Sequence, residues 1–332
     1  MRIAINGMGR LGRLLFRRLI NDDQFTVVAV NDIMDPSNLA YLLKYDSLYG
    51  TYEKSIQYSN HSFIVDNKPV TALQQDHPSK TGWKDLDIDI VLECSGQFTS
   101  LEKAGEHLRA GAKKVLLSTT GSRDVPLMIF GFNHHQLNKD TNIVSPGGCM
   151  TNCCTHILYI LNSIGIESAQ INILHSYTSR QELVDSAHTQ FRRGRAAAES
   201  IIPVEIDLAQ SLHRLLNQPK DIATLSVRVP VTNGAMADFT LQLKEPKTKE
   251  EINNLFKKAA QQEYKGIVDY TEDPVVSADI KGNTHSCIID GTLTSVAGKQ
   301  LKLIAWFDNE YGYTSRMIDW LHCWKKIITE GT

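Results

Sequence analysis

An α/β fold, with a doubly wound parallel sheet followed by an α+β domain on a mainly antiparallel sheet, is predicted by three features of this 332-residue chain. Short apolar strands alternate with amphipathic helices up to about residue 148. The first strand runs straight into three glycines in the G-x-G-x-x-G register, Gly7-Met8-Gly9-Arg10-Leu11-Gly12. After about residue 163 the strands lengthen and alternate apolar with polar residues, the period of a sheet covered on one face.

The elements follow in order. A strand at 2–6 feeds the glycines, and a helix at 10–21 follows, its apolar face carried by Leu11, Leu14, Leu15, Leu19 and Ile20. Gly7 serves the tight turn, Gly9 lets a pyrophosphate approach the backbone, and Gly12 lets helix and strand pack closely. The helix N-terminus offers unpaired N–H groups to that anion. A second strand at 26–31 ends in Asn31-Asp32, about twenty residues beyond the last glycine. An acid there accepts hydrogen bonds from the ribose hydroxyls and repels a 2′-phosphate, so the expected cofactor is NAD. The competing reading is a glycine-rich turn of another α/β protein, with Asp32 capping a helix. Helices at 36–46 and 100–110 and strands at 89–94, 114–118, 127–131 and 142–145 complete a Rossmann-type domain over residues 1–148.

A helix at 149–163 and strands at 170–177, 223–229, 237–243 and 301–307 form the catalytic domain, residues 149–312. Residues 179–203 are polar and aperiodic, the pattern of a functional loop or of one covering a neighbouring subunit. The C-terminal piece, 313–332, contains a helix at about 312–328 expected to pack back on the first domain.

Composition narrows the function. Hydrophobic content of 42% and only 10 prolines describe an ordinary globular chain. No apolar run is long enough for a membrane span, and Arg17 and Arg18 interrupt the first helix where a secretory signal would be apolar. A formal charge of −2 gives no drive toward nucleic acid. Six cysteines with no export signal point to reduced thiols and a cytoplasmic location. No metal is expected: Cys153 and Cys154 are adjacent, and His134, His135 and His156 have no C-x-x-C pair beside them.

The nucleophile candidate is Cys149, in Ser145-Pro-Gly-Gly-Cys149-Met-Thr-Asn-Cys153-Cys154, where a glycine turn meets a helix. An ordinary thiol is only about 3% thiolate at pH 7, so it needs a helix N-terminus or a partner imidazole. His175, in a predicted strand, is the best base. Cys153 lies one helical turn from Cys149, which suits a small core residue, with capture of an oxidised Cys149 as the alternative.

At this point the chain resembles, nearly end to end, the glyceraldehyde-3-phosphate dehydrogenases and the related erythrose-4-phosphate dehydrogenases. The resemblance is carried by Ile5-Asn-Gly-Met-Gly-Arg10, Leu43-Lys-Tyr-Asp46, Gly111-Ala-Lys-Lys-Val115, Cys149-Met-Thr-Asn152 and His175-Ser-Tyr-Thr178. Arg192-Arg-Gly-Arg195, Arg228-Val-Pro230, Gly266-Ile-Val-Asp-Tyr-Thr-Glu272 and Trp306-Phe-Asp-Asn309-Glu-Tyr-Gly-Tyr313 continue it. His285-Ser-Cys-Ile-Ile-Asp290 leans toward the erythrose branch and His175-Ser-Tyr-Thr178 toward the glyceraldehyde branch. The resemblance implies a homotetramer that oxidises an aldose phosphate. Cys149 would form a thiohemiacetal, His175 would take the hydroxyl proton as hydride leaves, and phosphate or water would release the thioester. It also implies that Gly7, Gly9, Arg10, Leu11, Gly12, Asp32, Ser118, Asn309 and Tyr313 hold NAD, and that Thr178, Arg195 and Arg228 meet the substrate phosphate.

Several positions depart from the family pattern. Gly148 stands where serine is usual, Met150 where threonine is, and Val204-Glu205-Ile206-Asp207 replaces a threonine–glycine loop. Three hydroxyl donors are gone and two carboxylates added, so weak phosphate binding and slow release by phosphate are expected. Arg180 replaces an acidic or small residue, and could enlarge the phosphate site or pair with Glu182 or Asp185. An acylating semialdehyde dehydrogenase and a non-catalytic NAD-binding or nucleic-acid-binding paralogue are the competing readings. The first has no need of Thr178 with Arg228; the second has none of Cys149, His175 and Asn309.

Overall fold

The computed structural model describes residues 1–59 and 62–330. It divides into two compact units: Met1–Gly148 together with the chain from Arg316, and Cys149–Ser315.

The first unit is built on eight strands: β1 (Arg2–Asn6), β2 (Thr26–Asn31), β3 (Ile56–Tyr58), β4 (Ser62–Val65), β5 (Lys68–Leu73), β6 (Ile90–Glu93), β7 (Lys114–Leu117) and β8 (Ile143–Val144). Their order is β3-β4-β5-β2-β1-β6-β7-β8, with every pair from β5 to β8 parallel. Helices α1 (Arg10–Leu19), α2 (Pro36–Lys44) and α3 (Leu101–Arg109) accompany it. Ile3, Ile5, Val91, Leu92, Val115 and Leu116 are fully buried, which explains why these strands are continuously apolar: both faces of the sheet are covered. The chain leaves β1 toward β2 on one side, and β6 lies on the other. At that reversal Asn6 pairs in register with Asn31 and Glu93, so the strand ends form the crevice where such sheets bind ligands.

Two parts differ from the sequence reading. Residues 127–131 are not a strand: only Leu127 bridges, to Ser145, and the chain then turns. The Asn133 side chain takes the place of a ladder partner, accepting from Ile129 N at 2.6 Å and donating to Leu127 O at 3.2 Å. The meander β3-β4-β5 is the second difference. Its β4–β5 turn is Asp66-Asn67, both at positive φ (50° and 64°), the pair a tight hairpin requires.

The second unit holds α4 (Cys149–Asn162), β9 (Ile166–Ser176), β10 (Ile202–Val204), α5 (Leu208–Leu215), β11 (Asp221–Val229), β12 (Ala235–Leu243) and α6 (Lys249–Gln261). Strands β13 (Val268–Thr271), β14 (Cys287–Asp290), β15 (Ser295–Ala297) and β16 (Gln300–Phe307) follow. The sheet order is β10-β11-β9-β12-β16-β14-β13, with β15 beside β16. Its pairs are antiparallel except β9 with β11 and β13 with β14. In β12 every second residue is buried, as one covered face demands. Residues 179–203 contain only a 3₁₀ turn at Phe191–Gly194 before β10 begins. The last helix, α7 (Tyr311–Glu330), buries Trp320 and Trp324; Trp320 meets Phe130 edge-on at 6.4 Å. Among the described residues no helix is long and apolar enough to cross a membrane.

Candidate active site

Cys149 opens α4, and His175 is the penultimate residue of β9. Cys149 Sγ lies 3.7 Å from His175 Nε2. The other ring nitrogen, Nδ1, is 2.7 Å from the carbonyl oxygen of Ser176, which can only accept. Nδ1 therefore carries the proton, and Nε2 turns its lone pair to the thiol. Burial pushes the Cys149 thiol up to about 11, with the Arg228 charge pulling it down. Burial and then the Arg228 charge push His175 down to about 3. The lowered thiol expected from the sequence is not what this environment gives. Loss of water outweighs the neighbouring cation at sulfur, so the thiol lies above and the imidazole below its ordinary value. Such a pair attacks by passing the sulfur's proton to Nε2 as the new bond forms.

Asn309 follows β16. Its Oδ1 accepts from Ser176 Oγ at 3.1 Å and Gly234 N at 2.9 Å, so the amide orientation is fixed and Nδ2 is the outward donor. Asp308, present in the Trp306–Tyr313 motif but given no role from the sequence, holds this corner: its carboxylate accepts from Glu310 N, Tyr311 N, Gly282 N and Asn233 Nδ2. An acid just before an apolar helix was the available signal. Tyr313 is buried in the first turn of α7.

Arg228 lies directly across from His175 in the β9–β11 register. It is 7% exposed, yet its Nε and Nη1 have no partner among the described residues. Burial, then the charges of Arg193 and Arg180, lower it to about 10. Thr178 Oγ1 accepts from Arg180 N at 3.3 Å. Arg195 is not brought to this group: its exposed guanidinium pairs with Asp185 at 2.9 Å. Arg193, assigned no role from the sequence, is the cation that acts on both Arg228 and His175. Cys153, Cys154 and Cys287 are fully buried, and burial with these neighbours pushes the Cys153 thiol far up. Among the described residues no group of three or more His, Cys, Asp or Glu could hold a metal ion.

In the first unit the glycine loop fits a dinucleotide. Gly7 has φ +93°, and a Cβ there would lie 2.3 Å from Ser95 N. A Cβ on Gly12 would lie 2.0 Å from Gly7 O, whereas one on Gly9 would meet nothing within 4 Å: that side is open for a phosphate. Gly9 caps α1 without a side-chain bond, and the amides of Leu11 and Gly12 have no partner among the described residues. Asp32 accepts from Met8 N at 2.5 Å and Met34 N at 2.9 Å, one bond per oxygen, which leaves each oxygen room to accept again. It does not cap α2; Asp35 does. Arg10 spends its guanidinium on Asp46 at 2.6 Å. Ser118, just after β7, donates its amide to Glu93 O at 2.9 Å.

Beneath the loop lies a buried network. Glu93 accepts from Asn6 Nδ2 (2.5 Å), His107 Nε2 (2.9 Å), Ser95 N (2.8 Å) and Ser95 Oγ. Trp83 Nε1 donates to His107 Nδ1 at 3.0 Å, so His107 is neutral with its proton on Nε2. Asn6 Oδ1 accepts from Asn31 Nδ2 at 2.7 Å, which ties both strand ends to the same carboxylate.

Comparison with known proteins finds two family models that match the chain. Residues 1–101 match the model of the glyceraldehyde 3-phosphate dehydrogenase NAD binding domain, and residues 148–309 match that of the C-terminal domain. The chain is similar to glyceraldehyde-3-phosphate dehydrogenase 2 of Bacillus subtilis, 40% identical over 323 residues, covering 96% of this chain and 95% of that one. It is also 41% identical over 329 residues to glyceraldehyde-3-phosphate dehydrogenase of Borreliella burgdorferi, covering 96% and 98%.

Proposed function

Because the chain belongs to the glyceraldehyde 3-phosphate dehydrogenase family, we propose that it oxidises glyceraldehyde 3-phosphate with NAD through a thioester on Cys149. The observation that carries this reading is the 3.7 Å approach of Cys149 Sγ to an Nε2 whose lone pair is free to take its proton. Sulfur bonds to the aldehyde carbon as its proton moves to His175, giving a thiohemiacetal; the imidazolium returns that proton to the new alkoxide. His175, neutral again, then withdraws the hydroxyl proton while hydride departs, and a thioester remains. NAD, when bound, supplies the hydride acceptor. Gly7, Gly9, Leu11 and Gly12 would seat its pyrophosphate at the start of α1, and Asp32 would accept from the ribose. Asn309 would donate Nδ2 to the carboxamide oxygen. Thr178 and the bare, buried fork of Arg228 would take the substrate phosphate.

The stretch that leaned toward erythrose 4-phosphate is spent on structure. Asp290 is 1% exposed and accepts from Trp306 Nε1 at 3.1 Å and from Thr292. Glyceraldehyde 3-phosphate is therefore the preferred substrate, and the thioester passes to inorganic phosphate or water. Assembly as a cytoplasmic homotetramer belongs to the same proposal, supported by the exposed apolar side chains of Leu183, Val184, Phe191 and Ile201 on one loop. Initial rates on the two aldose phosphates test the substrate. A kcat/KM at least tenfold higher for glyceraldehyde 3-phosphate is expected, and a preference for erythrose 4-phosphate contradicts the reading.

A further inference from the structure

Three strand ends meet at His175. Strand β12 lies between β9 and β16, and its first residue, Ala235, pairs with His175 on one side and Phe307 on the other. The residues just beyond these ends are bonded to one another. Gly234 N donates to Asn309 Oδ1 at 2.9 Å, and Gly234 O accepts from Ser176 N at 3.1 Å. Ser176 Oγ lies 3.1 Å from the same Oδ1, and Ser176 O lies 2.7 Å from His175 Nδ1.

Backbone groups decide where each proton sits. Gly234 N can only donate, so it sets which end of the Asn309 amide is oxygen. An amide oxygen can only accept, so the Ser176 hydroxyl donates to it. The Ser176 carbonyl can only accept, so His175 keeps its proton on Nδ1. Ser176 is fully buried and its hydroxyl hydrogen is committed to Asn309. One residue therefore touches the base through its carbonyl and the Asn309 amide through its hydroxyl. Beyond Ser176 and Gly234, the Asn309 side chain has no hydrogen bond among the described residues. Asp308 braces the backbone beside it, accepting from Gly282 N and Tyr311 N, each at 2.8 Å. The Asn309 amide is thus oriented by two donors alone, and Ser176 supplies one of them.

We propose that Ser176 is a positioning residue that holds the carboxamide anchor, Asn309, and the proton acceptor, His175, in one frame. The inference rests on the dehydrogenase reading above. In the oxidation step the O–H bond of the thiohemiacetal breaks with its proton going to His175 Nε2. Its C–H electron pair leaves as hydride to the nicotinamide ring, and the C–O bond becomes the thioester carbonyl. The base and the ring must therefore be in place together, and a misplacement of about 1 Å costs about 10²-fold in such a step. Without the Ser176 hydroxyl, Gly234 N alone holds Asn309 Oδ1, and the ring loses part of its alignment while the backbone bond to His175 remains.

The test uses the full-length enzyme and its Ser176→Ala, Asn309→Ala and double variants. Fluorescence titration gives the Kd for NAD, and rapid mixing gives the first turnover of reduced cofactor with ordinary and C1-deuterated glyceraldehyde 3-phosphate. Ser176→Ala removes one atom and every backbone bond remains, so the variant folds. It is expected to raise the Kd for NAD at least threefold and to slow the first turnover at least tenfold, with deuterium slowing it further. The KM for the aldose phosphate moves less than threefold. In the Asn309→Ala background the same change adds less than a twofold loss, because the hydroxyl has nothing left to orient. A serine that only fills space would cost the same in both backgrounds. The inference is overturned if Ser176→Ala keeps native NAD affinity and first-turnover rate, if the two losses multiply in the double variant, or if the loss falls on the aldose phosphate. A native enzyme that forms no reduced cofactor with this aldehyde overturns the dehydrogenase reading and the inference with it; a native first turnover that Ser176→Ala leaves unchanged overturns the inference alone.

Discussion

At Cys149 burial and charge compete, and their balance can be measured. Burial pushes the thiol toward about 11 and the Arg228 cation opposes it. A group whose charged form is an anion loses stabilisation when a nearby cation is removed, so its pKa must rise. Arg228→Met should therefore shift the pH profile of Cys149 alkylation by iodoacetamide to higher pH; a shift to lower pH contradicts the assignment of that cation. His175→Asn removes the Nε2 acceptor, and pre-steady-state formation of reduced cofactor should slow by about 10²–10⁴. Glu93 makes a different kind of prediction. Its carboxylate accepts from four donors in a buried site, so Glu93→Gln turns an NH₂ against one of them. A mispaired buried group costs about 1–3 kcal/mol. Because Asn6 and Ser95 frame the glycine loop, part of that cost should appear as weaker NAD binding by fluorescence titration.

Among the elements, α1 and the strand before it depend on absent side chains. Gly12→Ala places a Cβ 2.0 Å from Gly7 O, so helix and loop must separate, and NAD affinity should fall by at least tenfold in equilibrium titration. Wild-type affinity in that variant would contradict the glycine's role. The glycine register, the central strands and the helix at Cys149 were legible because each has a one-residue-level cause: backbone approach, two covered faces, a turn entering an apolar run. Other elements were missed for physical reasons. The strands β3 and β4 are short and half-exposed, and their turn signal at Asp66-Asn67 outweighs their apolar content. Helix α6 had a readable start, for Thr248 and Glu251 form a reciprocal cap, but its apolar face of Ile252 and Phe256 is thin. Residues 127–131 looked like a strand by composition, whereas side-chain bonds from Asn133 satisfy that backbone instead. Site residues were legible where chemistry needs a particular group, as at His175. Arg193 was not, since which arginine of Arg192, Arg193 and Arg195 faces inward depends on how Gln181 ties the loop down at Arg193 O and Arg195 O.

The whole molecule joins a unit suited to holding a dinucleotide and a unit that carries the nucleophile, His175 and Arg228 in one chain. Saturation with NAD at a hundred times its Kd should stabilise the protein by about 2.7 kcal/mol, seen as a higher Tm; no change in Tm would contradict binding at the first unit. The most direct test of the central claim is chemical. Enzyme, NAD and glyceraldehyde 3-phosphate are mixed without phosphate, quenched in acid, digested and weighed. One phosphoglyceroyl group per chain on the Cys149 peptide, matched by one reduced cofactor and absent in Cys149→Ser, is the result expected. Reduced cofactor formed with Cys149 unmodified, or turnover retained in Cys149→Ser, would contradict it.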